Sequence, residues 1–152
     1  MPEIPPEFER CQRQIALGNF GVKSQKNLQS SSLAIIGAGG VGSAALPLLA
    51  GSGIGKIKII DCDRVSLANL HRQTIYSEKE IGLSKADAAK ERLSKLNSSA
   101  NIDIFDIKIT DAVALKKILK NTDICIDATD SFKTRFIVSD ACKSLQIPEI
   151  YA

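Results

Sequence analysis

Three short apolar runs recur along the chain: Leu33-Ala34-Ile35-Ile36, Ile57-Lys58-Ile59-Ile60 and Ile124-Cys125-Ile126. Each is too brief for a helix and ends in glycine or aspartate, the signature of a strand buried on both faces. Between them the apolar period lengthens to that of a helix. Leu46, Leu49 and Ala50 mark a face on a predicted helix from Val41 to about Ser52. Ala86, Ala89, Leu93 and Leu96 follow a 3-4-3 spacing behind Ser84, with Asp87 placed as in a capping box. Ala114, Leu115, Ile118 and Leu119 predict a buried stripe on a helix from Asp111 to about Lys120, and another helix is expected from about Phe132 to Leu145. Ile102 to Ile109 reads as a strand whose change of phase between Ile104 and Ile107 suggests a bulge, and Ile147 to Tyr151 reads as a last strand. Ahead of all these, Phe8, Cys11 and Ile15 predict a short helix to about Leu17, followed by a second helix from about Val22 to Gln29 and a Ser30-Ser31-Ser32 link. Strands alternating with helices predict an α/β fold: a parallel sheet covered on both faces, with ligands bound outside the carboxyl ends of its strands.

Composition narrows the function classes. A chain of 152 residues with 44% hydrophobic and 24% charged residues can bury one real core, which argues against disorder. Its net charge of +3 is spread along the sequence, without the dense basic stripe a dedicated nucleic-acid binder needs, so nucleic acid is not the expected partner. Cys11, Cys62, Cys125 and Cys142 form no Cys-x-x-Cys pair and read as reduced thiols, mostly packed as small hydrophobes. The start of the chain lacks a basic region followed by an apolar stretch, and no segment approaches the length of a membrane span. A cytoplasmic protein without a membrane partner is the expectation.

The chemistry begins where the first strand ends. Gly37-Ala38-Gly39-Gly40-Val41-Gly42 joins that strand to the next helix, and Asp61 closes the second strand. In such a turn Gly37 allows a sharp bend, Gly39 and Gly40 let backbone approach a phosphate, Gly42 lets helix and strand pack closely, and the acid can bind a ribose hydroxyl. The alternative is a turn whose glycines serve packing alone. Cys62 to Leu83 is long, polar and aperiodic, which in a compact domain marks a functional loop. It holds Asp63, Asn69, Arg72 and Gln73, and Lys85 follows at the next helix start. Arg72 and Lys85 can neutralise a triphosphate, Asn69 can donate to an α-phosphate oxygen, and Asp130, after the third buried run, can hold magnesium. Each residue alone also fits an ordinary solvated loop. His71 reads as a variable loop position, and Cys62, between two aspartates, is a poor nucleophile.

Taken together, Arg10-Cys11-Gln12-Arg13-Gln14-Ile15, the glycine turn, Asp61-Cys62-Asp63, Asn69-Leu70-His71-Arg72-Gln73, Gly82-Leu83-Ser84-Lys85 and Asp127-Ala128-Thr129-Asp130 resemble the ThiF/MoeB/HesA family, the prokaryotic relatives of ubiquitin-activating enzymes. The resemblance covers nearly the whole chain in unbroken order. It implies a Rossmann-like ATP-binding domain over residues 33–152, with residues 1–32 as a helical arm. The activity it implies is ATP-dependent adenylation of the C-terminal glycine carboxylate of a ubiquitin-like sulfur-carrier protein of thiamin or molybdopterin type, with release of pyrophosphate. By the same resemblance Asp61 binds the ribose, Asn69, Arg72 and Lys85 the phosphates, and Asp130 the magnesium. Arg13 matches an arginine that reaches the partner subunit's triphosphate, implying a homodimer with shared sites.

An ionised carboxylate needs no general base to attack phosphorus, so the missing Ser-His-Asp or Cys-His arrangement is no objection. Relatives use the same chemistry on a modified tRNA base or a peptide antibiotic precursor. Family members usually continue beyond the point where this chain stops, so a domain truncated at its C-terminal end is expected, and zinc ligation is not supported. Ser131 stands where the family commonly has asparagine. Two other readings stand beside the enzyme: a non-catalytic partner or scaffold of the same family, and an NAD-dependent oxidoreductase, which leaves Asn69, Arg72, Lys85 and Asp130 without a purpose.

Overall fold

The computed structural model describes residues 4–152. Five strands form one sheet: β1 (Ser32–Ile36), β2 (Lys56–Ile60), β3 (Asn101–Phe105), β4 (Ile124–Asp127) and β5 (Glu149–Tyr151). Their spatial order is β3-β2-β1-β4-β5 and every pairing is parallel. The chain therefore builds outward from β1 to β3, then returns to the other side of β1 with β4. That reversal opens a crevice at the carboxyl ends of β1 and β4, the switch point where open α/β sheets bind ligands.

Alternation along the strands divides the core between two faces. Leu33, Ile35, Ile57 and Ile59 pack with Leu46 and Ala50 of α3 (Gly40–Gly51) and with Ala86, Ala89 and Leu93 of α4 (Lys85–Leu96). Ala34, Ile36 and Ile60 face Leu115 and Leu119 of α5 (Ala112–Leu119) and Val138, Ala141 and Cys142 of α6 (Phe132–Leu145). Among the described residues no helix is long and apolar enough to cross a membrane.

The N-terminal residues form an arm against α3. A 310 helix (Pro6–Cys11) runs into α1 (Gln12–Ile15), and α2 (Gly21–Ser30) follows. The predicted stripe of Phe8, Cys11 and Ile15 is buried, but the single predicted helix is two pieces. The spacing itself explains this: Cys11 lies three positions after Phe8, the 310 repeat, and Ile15 four positions after Cys11, the α repeat. Ser30 closes α2 and Ser32 opens β1, leaving Ser31 alone as the link.

Other expectations need correction. The strand predicted to reach Ile109 stops at Phe105, without a bulge, because β3 is an edge strand paired only with Lys56–Ile60. Beyond Ile60 that partner turns away, and the Asp61 amide closes the pairing on the Phe105 carbonyl at 3.1 Å. On α5 Ala112 packs against the core while Ala114 is exposed. Ser84 caps α4 by accepting from the Asp87 amide at 3.4 Å, but the reciprocal capping box is at Ser77 and Glu80, where the longer glutamate reaches back. The last strand starts at Glu149 rather than Ile147.

Among the described residues Lys58 is the one cation buried in the sheet's second face, 5% exposed. Its ammonium donates to the carbonyls of Ile118 (2.9 Å) and Lys120 (2.6 Å) and to Thr122 Oγ1 (3.0 Å), so it satisfies the carboxyl end of α5. Lys58→Met removes all three bonds while keeping the apolar stem. It is expected to lower stability by on the order of 2 kcal/mol in urea unfolding, since buried acceptors lose their donor. An unchanged midpoint would show that these groups find other partners.

Candidate functional site

The crevice at the β1/β4 reversal has a volume of about 1030 Å³. Its floor is the glycine turn. Gly37 has φ +93°, and a Cβ there would lie 2.7 Å from the Ala128 carbonyl oxygen, so the first bend admits only glycine. Gly42 does not line the crevice; a Cβ on it would come within 1.9 Å of the Gly37 carbonyl oxygen, which makes it the packing glycine of the motif. Gly39 and Gly40 face the opening, with Gln73 and Arg72 as their nearest side chains.

The turn is held from both sides. Asp61 Oδ2 accepts from the Ala38 amide at 2.6 Å, and the Tyr76 hydroxyl donates to the Ala38 carbonyl at 2.9 Å. Burial raises the Tyr76 pKa, and the charges of Asp61, Glu80 and Asp63 raise it further, so the phenol remains a neutral donor. Asp61 Oδ1 accepts from the Asp63 amide at 2.7 Å. Both oxygens of the predicted ribose acid thus carry backbone bonds, and each keeps further acceptor capacity.

The loop from Cys62 to Leu83 arranges the rest through two short 310 helices, Leu67–Asn69 and Glu78–Glu80. The Asn69 carbonyl accepts from the amides of Arg72 and Gln73, which fixes the three side chains relative to each other. Arg72 Nη2 donates to Asn69 Oδ1 at 3.1 Å, and Nη1 lies 3.3 Å from His71 Nε2, which must accept because a guanidinium can only donate. Gln73 is buried, and its Oε1 has no partner among the described residues. Lys85 is buried at the first residue of α4 and donates to Asp63 Oδ2 at 2.9 Å, leaving two N–H groups for a ligand.

Asp130 is exposed at the lip and bonds to no other described side chain. The buried Asp127 tightens the loop below it: Oδ1 accepts from the amide (2.9 Å) and hydroxyl (2.7 Å) of Thr129. Ser131 caps α6 by accepting from the Thr134 amide at 3.4 Å. Serine and asparagine are both strong N-caps, so the departure at this position preserves its capping role. α3, α4 and α6 all begin at the crevice, and their unpaired N–H groups favour an anion there.

Gly37, Gly39, Gly40, Asp61, Asp63, Asn69, Arg72, Gln73, Lys85 and Asp130 therefore lie together, whereas Arg13 stands apart on the arm. Sequence reading missed Ile107, Lys108 and Ile109, which line the crevice because they have left the sheet. It also missed Arg135, whose Nε and Nη2 donate to the Thr129 carbonyl at 3.0 and 2.6 Å and whose guanidinium lies 4.0 Å from the Tyr151 ring centre. A basic residue one turn into a helix that opens on the site was the available signal. Cys62 is exposed on the crevice wall, and burial of its sulfur, then the charges of Asp63 and Asp61, raise its pKa. Its thiol is a weak nucleophile.

This combination of sheet reversal, glycine turn and convergent helix starts defines a doubly wound nucleotide-binding domain. The chain belongs to the ThiF family, whose model matches residues 11–152. It is 41% identical over 145 residues to a probable molybdopterin-synthase adenylyltransferase of Porphyra purpurea, a match covering 95% of this chain and 38% of that protein. A sulfur carrier protein adenylyltransferase of Thermus thermophilus is 36% identical over 95% of this chain and 53% of its own length. Among solved structures, E. coli tRNA N6-threonylcarbamoyladenosine dehydratase in complex with ATP superposes with a TM-score of 0.89 at 28% identity, over 98% of this chain and 61% of that one. The chain thus spans between about a third and a half of these two curated relatives.

The two packing classes of glycine predict opposite outcomes. Gly42→Ala forces the Gly37 carbonyl aside and is expected to cost roughly 3 kcal/mol or more in urea unfolding. Gly40→Ala meets Arg72 Cδ at an ordinary 3.7 Å and is expected to change stability by less than about 0.5 kcal/mol. Equal effects would refute this division of roles.

Proposed function

We propose that this domain binds ATP and adenylates the C-terminal glycine carboxylate of a ubiquitin-like sulfur-carrier protein, releasing pyrophosphate. The observation that carries this reading is the gathering of Asn69, Arg72, Lys85 and Asp130 around the glycine turn in one crevice, a set that a dinucleotide site for hydride transfer does not require. The curated relatives named as adenylyltransferases and the ATP complex of the solved neighbour support it.

In this reading the triphosphate lies across the starts of α3 and α4. Asp61 accepts from the ribose, Asn69 donates to an α-phosphate oxygen, and Arg72 and Lys85 neutralise the outer phosphates. Gln73, buried beside the turn, supplies a further polar contact. The carrier's carboxylate oxygen bonds to the α-phosphorus as the bond from that phosphorus to the bridging oxygen breaks, and pyrophosphate leaves with the electron pair. Positioning two anions and neutralising the departing charge is the whole task, and the crevice is built of groups suited to both.

Magnesium fits this chemistry. Among the described residues no three His, Cys, Asp or Glu side chains cluster as a protein cage, but magnesium ordinarily takes one or two carboxylates and completes its shell with phosphates and water. Asp130, exposed and unbonded at the lip, is the residue that would hold it, and the ion would supply positive charge against the phosphates.

Arg13 completes the proposed site from a second copy. Its neighbour Gln14 donates to the Ser52 carbonyl at 3.1 Å, at the far end of α3 from the crevice. The 12 residues of α3 span about 18 Å, farther than an arginine side chain reaches. In this reading Arg13 serves a partner's crevice in a homodimer, and its distance from its own crevice supports that. The outward face of α3 agrees: the helix has no charged residue, and Leu48 is exposed. Whether the carrier serves thiamin or molybdopterin synthesis is the finer choice; the name of the Porphyra purpurea relative favours the molybdopterin type.

ATP with magnesium is expected to raise the melting temperature while NAD at equal concentration does not, because only a ligand of the folded state stabilises by mass action. Asp130→Ala should remove the magnesium-dependent part of the shift; stabilisation by NAD alone would overturn the reading. Arg13→Ala is expected to keep ATP affinity but lose on the order of 10³-fold in carrier-dependent pyrophosphate exchange, by analogy with arginine fingers. Mixing it with Lys85→Ala should restore part of the exchange, since one crevice of a mixed dimer then regains both groups. Failure to complement would remove Arg13 from the shared site.

A further inference from the structure

The residues on either side of Arg13 are tied to one atom. Ser52, just beyond α3, presents its carbonyl oxygen to three donors: Gln25 Nε2 at 2.9 Å, Gln14 Nε2 at 3.1 Å and the Cys11 thiol at 3.7 Å. Gln14 Nε2 also donates to Gln25 Oε1 at 3.0 Å, so the two amides of α1 and α2 interlock over that carbonyl. Gln25 has no exposed surface, the only fully buried polar side chain among the arm's described residues. Gly53, at φ +87°, makes room for it: a Cβ there would lie 2.8 Å from Gln25 Nε2. At the arm's other end Arg10 Nη1 donates to the Leu96 carbonyl at 3.0 Å, the last residue of α4.

Within the arm Phe8, Cys11 and Ile15 pack against Ile4 and Val22, and Leu28 of α2 reaches the main core. Such contacts tolerate sliding, whereas directional amides fix a single register. Arg13 itself is exposed and bonds to no described residue, although Cys11 and Gln14 beside it are fastened. The chain thus has a locked base beneath one free cation. The locked base stands on α3 and α4, whose opposite ends form the crevice.

Resting on the adenylation reading, we infer that Gln25 and Gln14 are positioning residues for Arg13: their clamp on the Ser52 carbonyl sets where Arg13 stands when it enters a partner's crevice. A purely structural role would show itself as lost stability alone. A positioning role appears as lost turnover that depends on Arg13.

The test is a double-mutant cycle with amide exchange as a second readout. Gln25→Leu removes the buried clamp, and Gln14→Ala, at a half-exposed site, removes it without emptying the core. Pyrophosphate exchange is driven by a ubiquitin-like carrier ending in Gly-Gly. Each variant is expected to lose about 10²-fold in kcat with the KM for ATP unchanged, the scale of an ångström-sized misplacement. In the Arg13→Ala background neither should cost anything more. The amides of Ala16 and Leu17, bonded to the Gln12 and Gln14 carbonyls, should exchange faster in both variants while those of α3 do not. If Arg13→Ala itself leaves turnover intact, the assignment of Arg13 to the site fails first. If Arg13→Ala collapses turnover but the clamp variants keep it, or their losses add to that of Arg13→Ala, the positioning role is overturned. Unchanged protection of Ala16 and Leu17 would overturn the clamp as well.

Discussion

The peptide units around Ala38 are held at both polar ends, the amide by Asp61 and the carbonyl by Tyr76. Everything at the crevice refers to that fixation. Asp61 ends β2 and Tyr76 comes from the long loop, so one turn is registered against the sheet and against the loop that bears Asn69, Arg72 and Gln73. Asp61 also fastens the start of that loop through the Asp63 amide, and Asp63 in turn steadies Lys85 at the head of α4. A single short relay of hydrogen bonds therefore joins four separate stretches of chain around one cavity. Because its links are made within the protein, the crevice is organised before any ligand arrives, which is what a site that works by placement requires.

Much of this was legible beforehand. The parallel sheet followed from short apolar runs alternating with helical periods, the glycine turn, Asp61 and Asp130 from their positions after strands, and the Asn69–Gln73 stretch and Lys85 from the polar loop and the family resemblance. What escaped was set by tertiary context. Nothing in the periodicity of Ile102 to Ile109 says that β2 turns away at Asp61, yet that loss of a partner ends β3 and sends Ile107, Lys108 and Ile109 over the crevice. Tyr76 gave no signal either, since one aromatic in a polar loop has no period. Lys58 contradicted its own apolar run, and only the position of the α5 carboxyl end explains an ammonium there.

The arm illustrates the same division between local and distant causes. Its stripe of Phe8, Cys11 and Ile15 could be read from spacing, because burial obeys helical geometry whichever kind of helix carries it. Its amide interlock could not, since glutamines in a polar segment look like surface residues until Ser52 and Gly53 are brought to them. Polar side chains that turn inward are visible in a structure as bonds and in a sequence as nothing in particular.

The order of strands also bears on how the polypeptide is made. β1 pairs with β2 on one side and β4 on the other, and the arm that precedes it docks on residues that follow α3. During synthesis from the amino end, the arm is therefore made before its docking partner, and β1 keeps one open edge until β4 has been translated. Folding of such a parallel sheet is dominated by contacts distant in sequence and proceeds slowly. The same central strand that anchors the nucleotide turn is the segment with the longest wait for its second neighbour, and so the one with most to gain from a chaperone.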